Sequence, residues 1–251
     1  MDYGLYVSAA GALANSYRQD VVANNLANVD TVAFKRDMAL MQGRRTESSQ
    51  SGGQRYSNPL LERLGGGLFA LPTHTDFSPG SLDLTGSPTD LALDGSGFFQ
   101  VKHQDQIQYT RDGRFTLDEQ NQLVTVTDRL PVLDESGAPI TLIPGLKFSV
   151  NEAGVVNQAG APVARLGVVD FEDTRDLKKQ GNNLYLYQGE DAPRAVSTPV
   201  KQGALENSGV EAVRQMVDMI KAQRSFQMNL SSLQLQDETL GMAVNRLGSI
   251  T

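Results

Sequence analysis

The pattern that decides the fold lies in residues 210–247, which read VEAVRQMVDMIKAQRSFQMNLSSLQLQDETLGMAVNRL. Apolar side chains recur there with a seven-residue period, which places them along one face of an α-helix. One heptad position holds Met219, Phe226, Leu233, Leu240 and Leu247, and the position three residues earlier holds Met216, Leu230 and Val244, interrupted by Gln223 and Asp237. A helix of this length extends roughly 55 Å. It needs a partner, because one helix cannot bury such a stripe alone.

The partner is expected at the other end of the chain. Small and apolar residues recur at helical spacing within residues 1–40, which predicts an N-terminal helix there. Ser208 and Glu211 have the spacing of a capping box, which predicts that the C-terminal helix begins just after the serine. We therefore expect residues 1–40 and 205–251 to form a discontinuous helical module, paired as a coiled-coil-like unit.

Between these ends, from residue 80 to 204, the pattern changes to short apolar runs separated by turn dipeptides such as Asp112-Gly113. Runs of this kind occupy residues 98–101, 107–110, 123–126, 163–171 and 184–187. Their spacing predicts a central antiparallel all-β domain, folded as a barrel or a sandwich. Residues 41–79, with the polar, glycine-rich stretch 43–67, are expected to be a connecting segment. The predicted fold class is α+β.

Composition excludes several classes of function. The net charge of −7 argues against a nucleic-acid partner, because phosphate contacts need a concentrated basic surface. We expect no direct membrane insertion, since no run approaches the roughly 18 consecutive apolar residues of a membrane span. The N-terminus lacks the features of a cleavable secretory signal. The chain has no cysteine and two histidines, so metal sites are not expected.

The stretch Leu93-Asp94-Gly95-Ser96-Gly97 is similar to the surroundings of a nucleophilic serine. A serine hydrolase also needs a base that a third group orients, and the candidates are His74 and His103. A triad of histidine, aspartate and serine would then have to fit within some twenty residues of turn and strand. A β-turn is therefore the better interpretation of this stretch. We expect no catalytic residue and no cofactor. A secreted, β-rich carbohydrate-active hydrolase stays open as the alternative from a different class.

Four segments carry a family resemblance. Residues 23–36, reading ANNLANVDTVAFKR, resemble the N-terminal signature of the flagellar basal-body rod and hook protein family. Segments 80–101, 109–133 and 203–226 resemble the same family in the same order. Ala33 stands where the family usually has glycine, so a less left-handed backbone is expected there. Gly209 stands where asparagine is usual.

The resemblance implies a structural axial subunit of the flagellar rod that polymerises through its terminal helices and transmits torque. It implies self-association, contacts with other rod subunits, passage through the flagellar export apparatus without a cleaved signal, and a place in the periplasmic part of the basal body. Length and the ending 237–241 favour the proximal-rod type, with a distal-rod or hook-type subunit as the alternative. The expected assembly residues are Asn24, Asn25, Leu26, Asn28, Thr31, Phe34 and Lys35 of the signature, and Met219, Gln223, Phe226, Leu230, Leu233, Leu240, Val244 and Leu247 of the stripe.

Overall fold

A computed structural model describes residues 2–43, 67–104 and 106–248 of this protein. The chain divides into two compact units. Unit one comprises Met1–Ala27, Asp37–His74 and Glu211–Thr251, and unit two comprises Asn28–Arg36 and Thr75–Val210. The expected loop at 43–67 lies almost wholly outside the described residues.

Unit one contains two long helices, α1 (Asp2–Ala27) and α2 (Ala212–Gly248), which contact each other. A Cβ atom at Gly4 would lie 3.1 Å from Nε2 of Gln236, and one at Gly11 would lie 3.0 Å from Nδ2 of Asn229. A step of seven residues forward in α1 thus matches a step of seven backward in α2, so the helices run antiparallel. Glycine on α1 allows this close approach.

Four short strands accompany the helices in sequence: β1 (Asp37–Met38), β2 (Met41–Gly43), β3 (Leu68–Ala70) and β4 (His74–Thr75). β2 and β3 pair antiparallel, and β3 contacts α1. The hydroxyl of Tyr17 donates to the carbonyl oxygen of Leu71 at 2.9 Å, which ties the chain after β3 to the helix.

The C-terminal helix is confirmed to within two residues at its start and one at its end. Two finer expectations were wrong. The N-terminal helix ends at Ala27 instead of continuing toward residue 40, because the chain turns after Asn28, whose carbonyl accepts from the Thr31 amide at 3.2 Å. The capping box is also absent, since α2 begins at Ala212 and the Ser208 oxygen accepts from the Val210 amide at 3.3 Å while its hydroxyl donates to the Asn28 carbonyl.

Unit two is built of antiparallel strands, as the sequence predicted. Their bounds are β5 (Leu82–Leu84), β6 (Leu91–Leu93), β7 (Phe98–His103), β8 (Gln106–Thr110), β9 (Phe115–Leu117), β10 (Leu123–Thr125), β11 (Phe148–Val150), β12 (Val155–Gln158), β13 (Ala161–Arg165), β14 (Val168–Asp170), β15 (Leu177–Gly181), β16 (Leu184–Tyr187), β17 (Arg194–Ala195), β18 (Val200–Gln202) and β19 (Ala204–Glu206). The largest sheet has six strands in the order β15-β16-β8-β7-β14-β17. Smaller pairings join β9 to β10, β11 to β12 to β13, β6 to β18, and β5 to β19.

The core of unit two lies on both faces of this sheet. Successive side chains of a strand point to opposite faces, and β7 shows this directly. Phe99 packs in one cluster with Leu91 and Leu123, while Phe98 packs in another with Phe171. Phe98 and Phe171 meet edge to face with centroids 5.7 Å apart, a preferred aromatic geometry.

Candidate functional site

The segment that follows α1, residues 28–36, is the second half of the signature noticed in the sequence. Its backbone is bonded to the C-terminal part of unit two. The Ala33 amide donates to the Glu206 carbonyl at 2.8 Å, and the Gly209 amide donates to the Phe34 carbonyl at 2.9 Å. We call residues 28–36 the docked segment.

Ala33 adopts the left-handed conformation, with φ of 55°, and is fully buried. The expectation of a less left-handed backbone at this alanine was therefore wrong. A left-handed alanine costs roughly 1–2 kcal/mol because its Cβ crowds the following carbonyl oxygen. The surrounding hydrogen bonds must hold this strained residue in place.

Side chains of unit two reach the docked segment from a second direction. Lys179 Nζ donates to the Lys35 carbonyl at 2.6 Å and lies 4.4 Å from the centroid of the Phe34 ring. Asn183 Nδ2 donates to the Val32 carbonyl at 2.8 Å. Backbone carbonyls that would lack a helical or strand partner are satisfied in this way.

A buried charge cluster lies under the docked segment. Glu206 Oε1 accepts from Lys35 Nζ at 2.5 Å, and Glu206 Oε2 accepts from Arg111 Nη1 at 3.3 Å. The Lys35 and Glu206 side chains are each 1% exposed, and that of Arg111 is 2% exposed. We call these three residues the Glu206 cluster. The cluster contains two cations and one anion, so the Glu206 carboxylate is the counter-charge that both cations contact.

Further bonds complete the cluster. Lys35 Nζ also donates to the Ser78 carbonyl at 2.8 Å, and Arg111 Nη2 donates to the Gly95 carbonyl at 2.7 Å. The Gly80 amide donates to Glu206 Oε1 at 2.7 Å. A Cβ at Gly80 would overlap the carbonyl oxygen of Asn207, so only glycine lets this loop come near enough to donate.

The electrostatics follow from burial. Desolvation lowers the pKa of the Lys35 ammonium, and Glu206 opposes that shift. Desolvation likewise lowers the pKa of Arg111. At the margin of the docked segment, hydrogen bonds from Ser78 and from the Arg36 guanidinium hold the pKa of Asp76 at about 2, below its usual 3.8.

Comparisons with known proteins agree with the family resemblance found in the sequence. Residues 5–35 match the family described as flagella basal body rod protein, residues 92–158 match the flagellar hook protein FlgE/F/G D1 domain, and residues 201–247 match the flagellar basal body rod FlgEFG protein C-terminal family. The chain is 33% identical over 252 residues to the flagellar basal-body rod protein FlgF of Caulobacter vibrioides, with 100% of both chains covered.

The chain belongs to the flagellar basal-body rod protein family. Two other relatives support this. A flagellar basal-body rod protein FlgG of Buchnera aphidicola is 31% identical, with 94% of this chain and 96% of the relative covered. The flagellar hook-basal body complex protein FlhO of Bacillus subtilis is 32% identical, with 98% and 99% covered.

In this rod-family protein, the structure distributes the signature residues over different environments. Asn25 is buried and folds the chain back, because its Nδ2 donates to the Asp37 carbonyl at 2.8 Å and its Oδ1 accepts from the Asp37 amide at 2.9 Å. Phe34 and Lys35 are buried within unit two. Leu26, Asn28 and Thr31 are half-buried, and Asn24 is exposed.

The two heptad positions of the predicted C-terminal stripe differ in burial. Met219, Phe226, Leu233 and Leu240 are half-buried, but Met216, Gln223, Leu230 and Val244 are exposed. Among the described side chains of α2, the most buried are Ala222, which is 1% exposed, and Gln215. α1 approaches α2 along Asn229 and Gln236. Leu247 lies in α2, but its side chain is outside the described part.

The hydrolase-like residues lie on different elements, and the side chain that Ser96 contacts is a carboxylate. Ser96 Oγ donates to Asp170 Oδ2 at 2.7 Å, whereas His74 lies in β4 and His103 at the end of β7. Within the described residues, no group of three or more His, Cys, Asp or Glu side chains is placed to hold a metal ion. Among the described helices, none is long and apolar enough to span a bilayer.

Sequence reasoning missed Glu206, Arg111, Lys179 and Asn183. Glu206 and Arg111 lie in segments that resemble the family, at 203–226 and 109–133. A charged residue in an otherwise apolar strand, such as Glu206 after Ala204 and Leu205, was the one available signal.

Proposed function

We propose that this protein is a structural subunit of the flagellar rod that polymerises through its terminal helices. The observation that carries the proposal is an exposed apolar flank on α2. Val213, Met216, Val217 and Ile220 follow helical i, i+3, i+4, i+7 spacing and are each at least 44% exposed, with Val213 at 75%. We call these four residues the α2 flank.

The α2 flank is an unusual surface for a monomer. Isolated exposed apolar side chains are normal, but four neighbours on one helix face indicate an interaction site. α1 adds Tyr6, Val7 and Leu13, which are also exposed. Burying one such side chain is worth roughly 1.5–3 kcal/mol, so the flank offers a substantial driving force for assembly.

The division of the helix surface supports the same proposal. The side of α2 turned toward α1 carries amides and alanine together with half-buried apolar side chains such as Phe226 and Leu233, whereas a second set of apolar side chains is open. A helix that turned such side chains to solvent would be poorly stabilised alone, so the open set fits contact with further subunits. We propose that the two helices pair as a coiled-coil-like unit and that residues 1–40 and 205–251 act as the assembly module.

The remaining roles follow from this function. We propose that the partners are copies of this chain and other rod subunits, that export precedes assembly in the periplasmic basal body, and that the protein catalyses no reaction. The proximal-rod type is proposed ahead of the distal type on chain length and the ending 237–241. Mass spectrometry of isolated basal bodies, with cross-linking to identify neighbours, tests that order.

The test of assembly uses Val213→Asp combined with Ile220→Asp. Both side chains are half or more exposed, so the purified variant should keep the wild-type melting temperature within a few degrees. It should be exported but fail to enter rods, and motility should be lost. Leu84→Asp is the matched control, because Leu84 is an exposed apolar residue of unit two. Wild-type rod incorporation of the double variant would refute assembly through the α2 flank.

A further inference from the structure

Several hydrogen bonds that hold the docked segment join residues that are far apart in the sequence. Lys35 contacts Glu206, 171 residues later, and Val32 contacts Asn183, 151 residues later. Ser208 contacts Asn28 across 180 residues. Closing loops of this length costs conformational entropy before any bond is gained, so such contacts tend to form late.

The six-stranded sheet does not need these bonds. Its strands run from β7 to β17, and the cluster around Phe98 is made within that range apart from Phe77. β7 and β8, residues 98–110, are near neighbours in sequence, and the pairings Val168 with Phe99 and Leu184 with Thr110 span less than half the 171 residues between Lys35 and Glu206. The sheet can therefore form while the docked segment is still free.

The docked segment is poorly suited to hold its conformation by itself. Ala33 is in the left-handed region, and Lys35 carries a charge that must be desolvated. Without Glu206, burial of Lys35 beside Arg111 would place two cations together with no counter-charge in the cluster. The free segment is thus expected to relax to ordinary backbone conformations and to keep its lysine in water.

We propose that the Glu206 cluster is a latch that closes last: residues 28–36 dock only after the chain up to about residue 209 is present and the six-stranded sheet has formed. The N-terminal signature then stays undocked on any chain that has not yet delivered its C-terminal quarter. The meaning for assembly rests on the proposed function, since a rod subunit would then have its docked segment fixed only when the whole chain is present.

The test is pulsed hydrogen–deuterium labelling of the full chain during refolding from denaturant, read by peptide mass spectrometry. In the wild type, peptides of β7 and β8 should become protected in an early phase, and peptides 28–36 and 204–209 together in a later one. In Glu206→Gln, protection of β7 and β8 should keep its rate within about threefold, because bonds absent from the transition state do not set the folding rate. The later phase should slow by about tenfold or more, or disappear.

Two further variants keep the test decisive. Glu172→Gln removes an exposed carboxylate of unit two and should change neither phase. Lys35→Met leaves the Glu206–Arg111 pair in place and serves if Glu206→Gln cannot be purified. This variant should also slow only the later phase of protection. Simultaneous protection of 28–36 and β7, or equal slowing of both phases in either variant, would overturn the latch. Neither outcome bears on whether the protein enters rods, so the proposed function is judged separately.

Discussion

Replacing Glu206 by glutamine removes the charge that both Lys35 and Arg111 contact, while the side chain keeps its shape. Its two oxygen positions receive Lys35 at 2.5 Å and Arg111 at 3.3 Å, and all three side chains are at most 2% exposed. The variant therefore leaves two buried cations beside a neutral amide. Lys35→Met is the informative comparison, because it leaves one cation paired with one anion and removes an ammonium that burial disfavours.

The two substitutions differ in expected cost. Breaking a buried ion pair by removing one partner typically costs about 3–5 kcal/mol, which is the expectation for Glu206→Gln. Lys35→Met leaves the Ser78 carbonyl and one Glu206 oxygen each short of a donor, and we expect about 1–2 kcal/mol. With roughly 2–4 °C per kcal/mol for a chain of this size, the melting temperature falls by about 6–20 °C and about 2–8 °C respectively.

The assay is urea unfolding at neutral pH followed by far-UV circular dichroism, with the fitted slope checked for two-state behaviour. Glu172→Gln, an exposed carboxylate, controls for the general effect of losing a negative charge. A smaller loss for Glu206→Gln than for Lys35→Met would refute the assignment of Glu206 as the group on which both cations depend.

Three other predictions follow from the same structure. The folded pKa of Asp76, about 2, is below its usual 3.8, so the stability that its carboxylate contributes is fully present above about pH 4 and disappears as the pH falls through about 2. Urea midpoints measured against pH should therefore fall less steeply toward acid in Asp76→Asn than in the wild type. Gly80→Ala should cost about 1–3 kcal/mol in the same unfolding assay, because its Cβ meets the Asn207 carbonyl, and an unchanged midpoint would contradict that geometry. Leu233→Asp should melt the terminal helices while the tyrosine near-UV signal of unit two persists, and loss of both signals together would show that the units do not unfold separately.

The sequence predicted the long elements because their signals are periodic and local. α2 was placed from its heptad, and strands β7, β8, β10 and β16 from short apolar runs between turns. The side that α2 turns to α1 was predicted only in part, since the heptad position of Phe226 and Leu233 is half-buried but that of Met216 and Val244 is exposed. Counting apolar residues favoured Met216 and Val244, but glycines on α1 allow a close approach to the amide side chains of Asn229 and Gln236.

The candidate site was beyond sequence reasoning for a different reason. Lys35 and Glu206 are joined by a contact across 171 residues, and nothing in the local pattern of either segment indicates the other. The end of α1 was misplaced because residues 28–36 still contain apolar side chains, such as Val32 and Phe34, that fit a helical pattern. Those side chains pack within unit two instead.

The position of the docked segment gives the signature motif a physical role. α1 ends at residue 27, where the chain enters the docked segment, and the chain that leaves β19 enters α2 at residue 212. Within unit two the Ser208 hydroxyl bonds the Asn28 carbonyl at 3.0 Å, so the two chain segments that lead to the helices are fixed to each other. A subunit that polymerises through both terminal helices needs them to emerge from one defined place. The Glu206 cluster and the bonds around Ala33 hold these two connecting segments together within unit two.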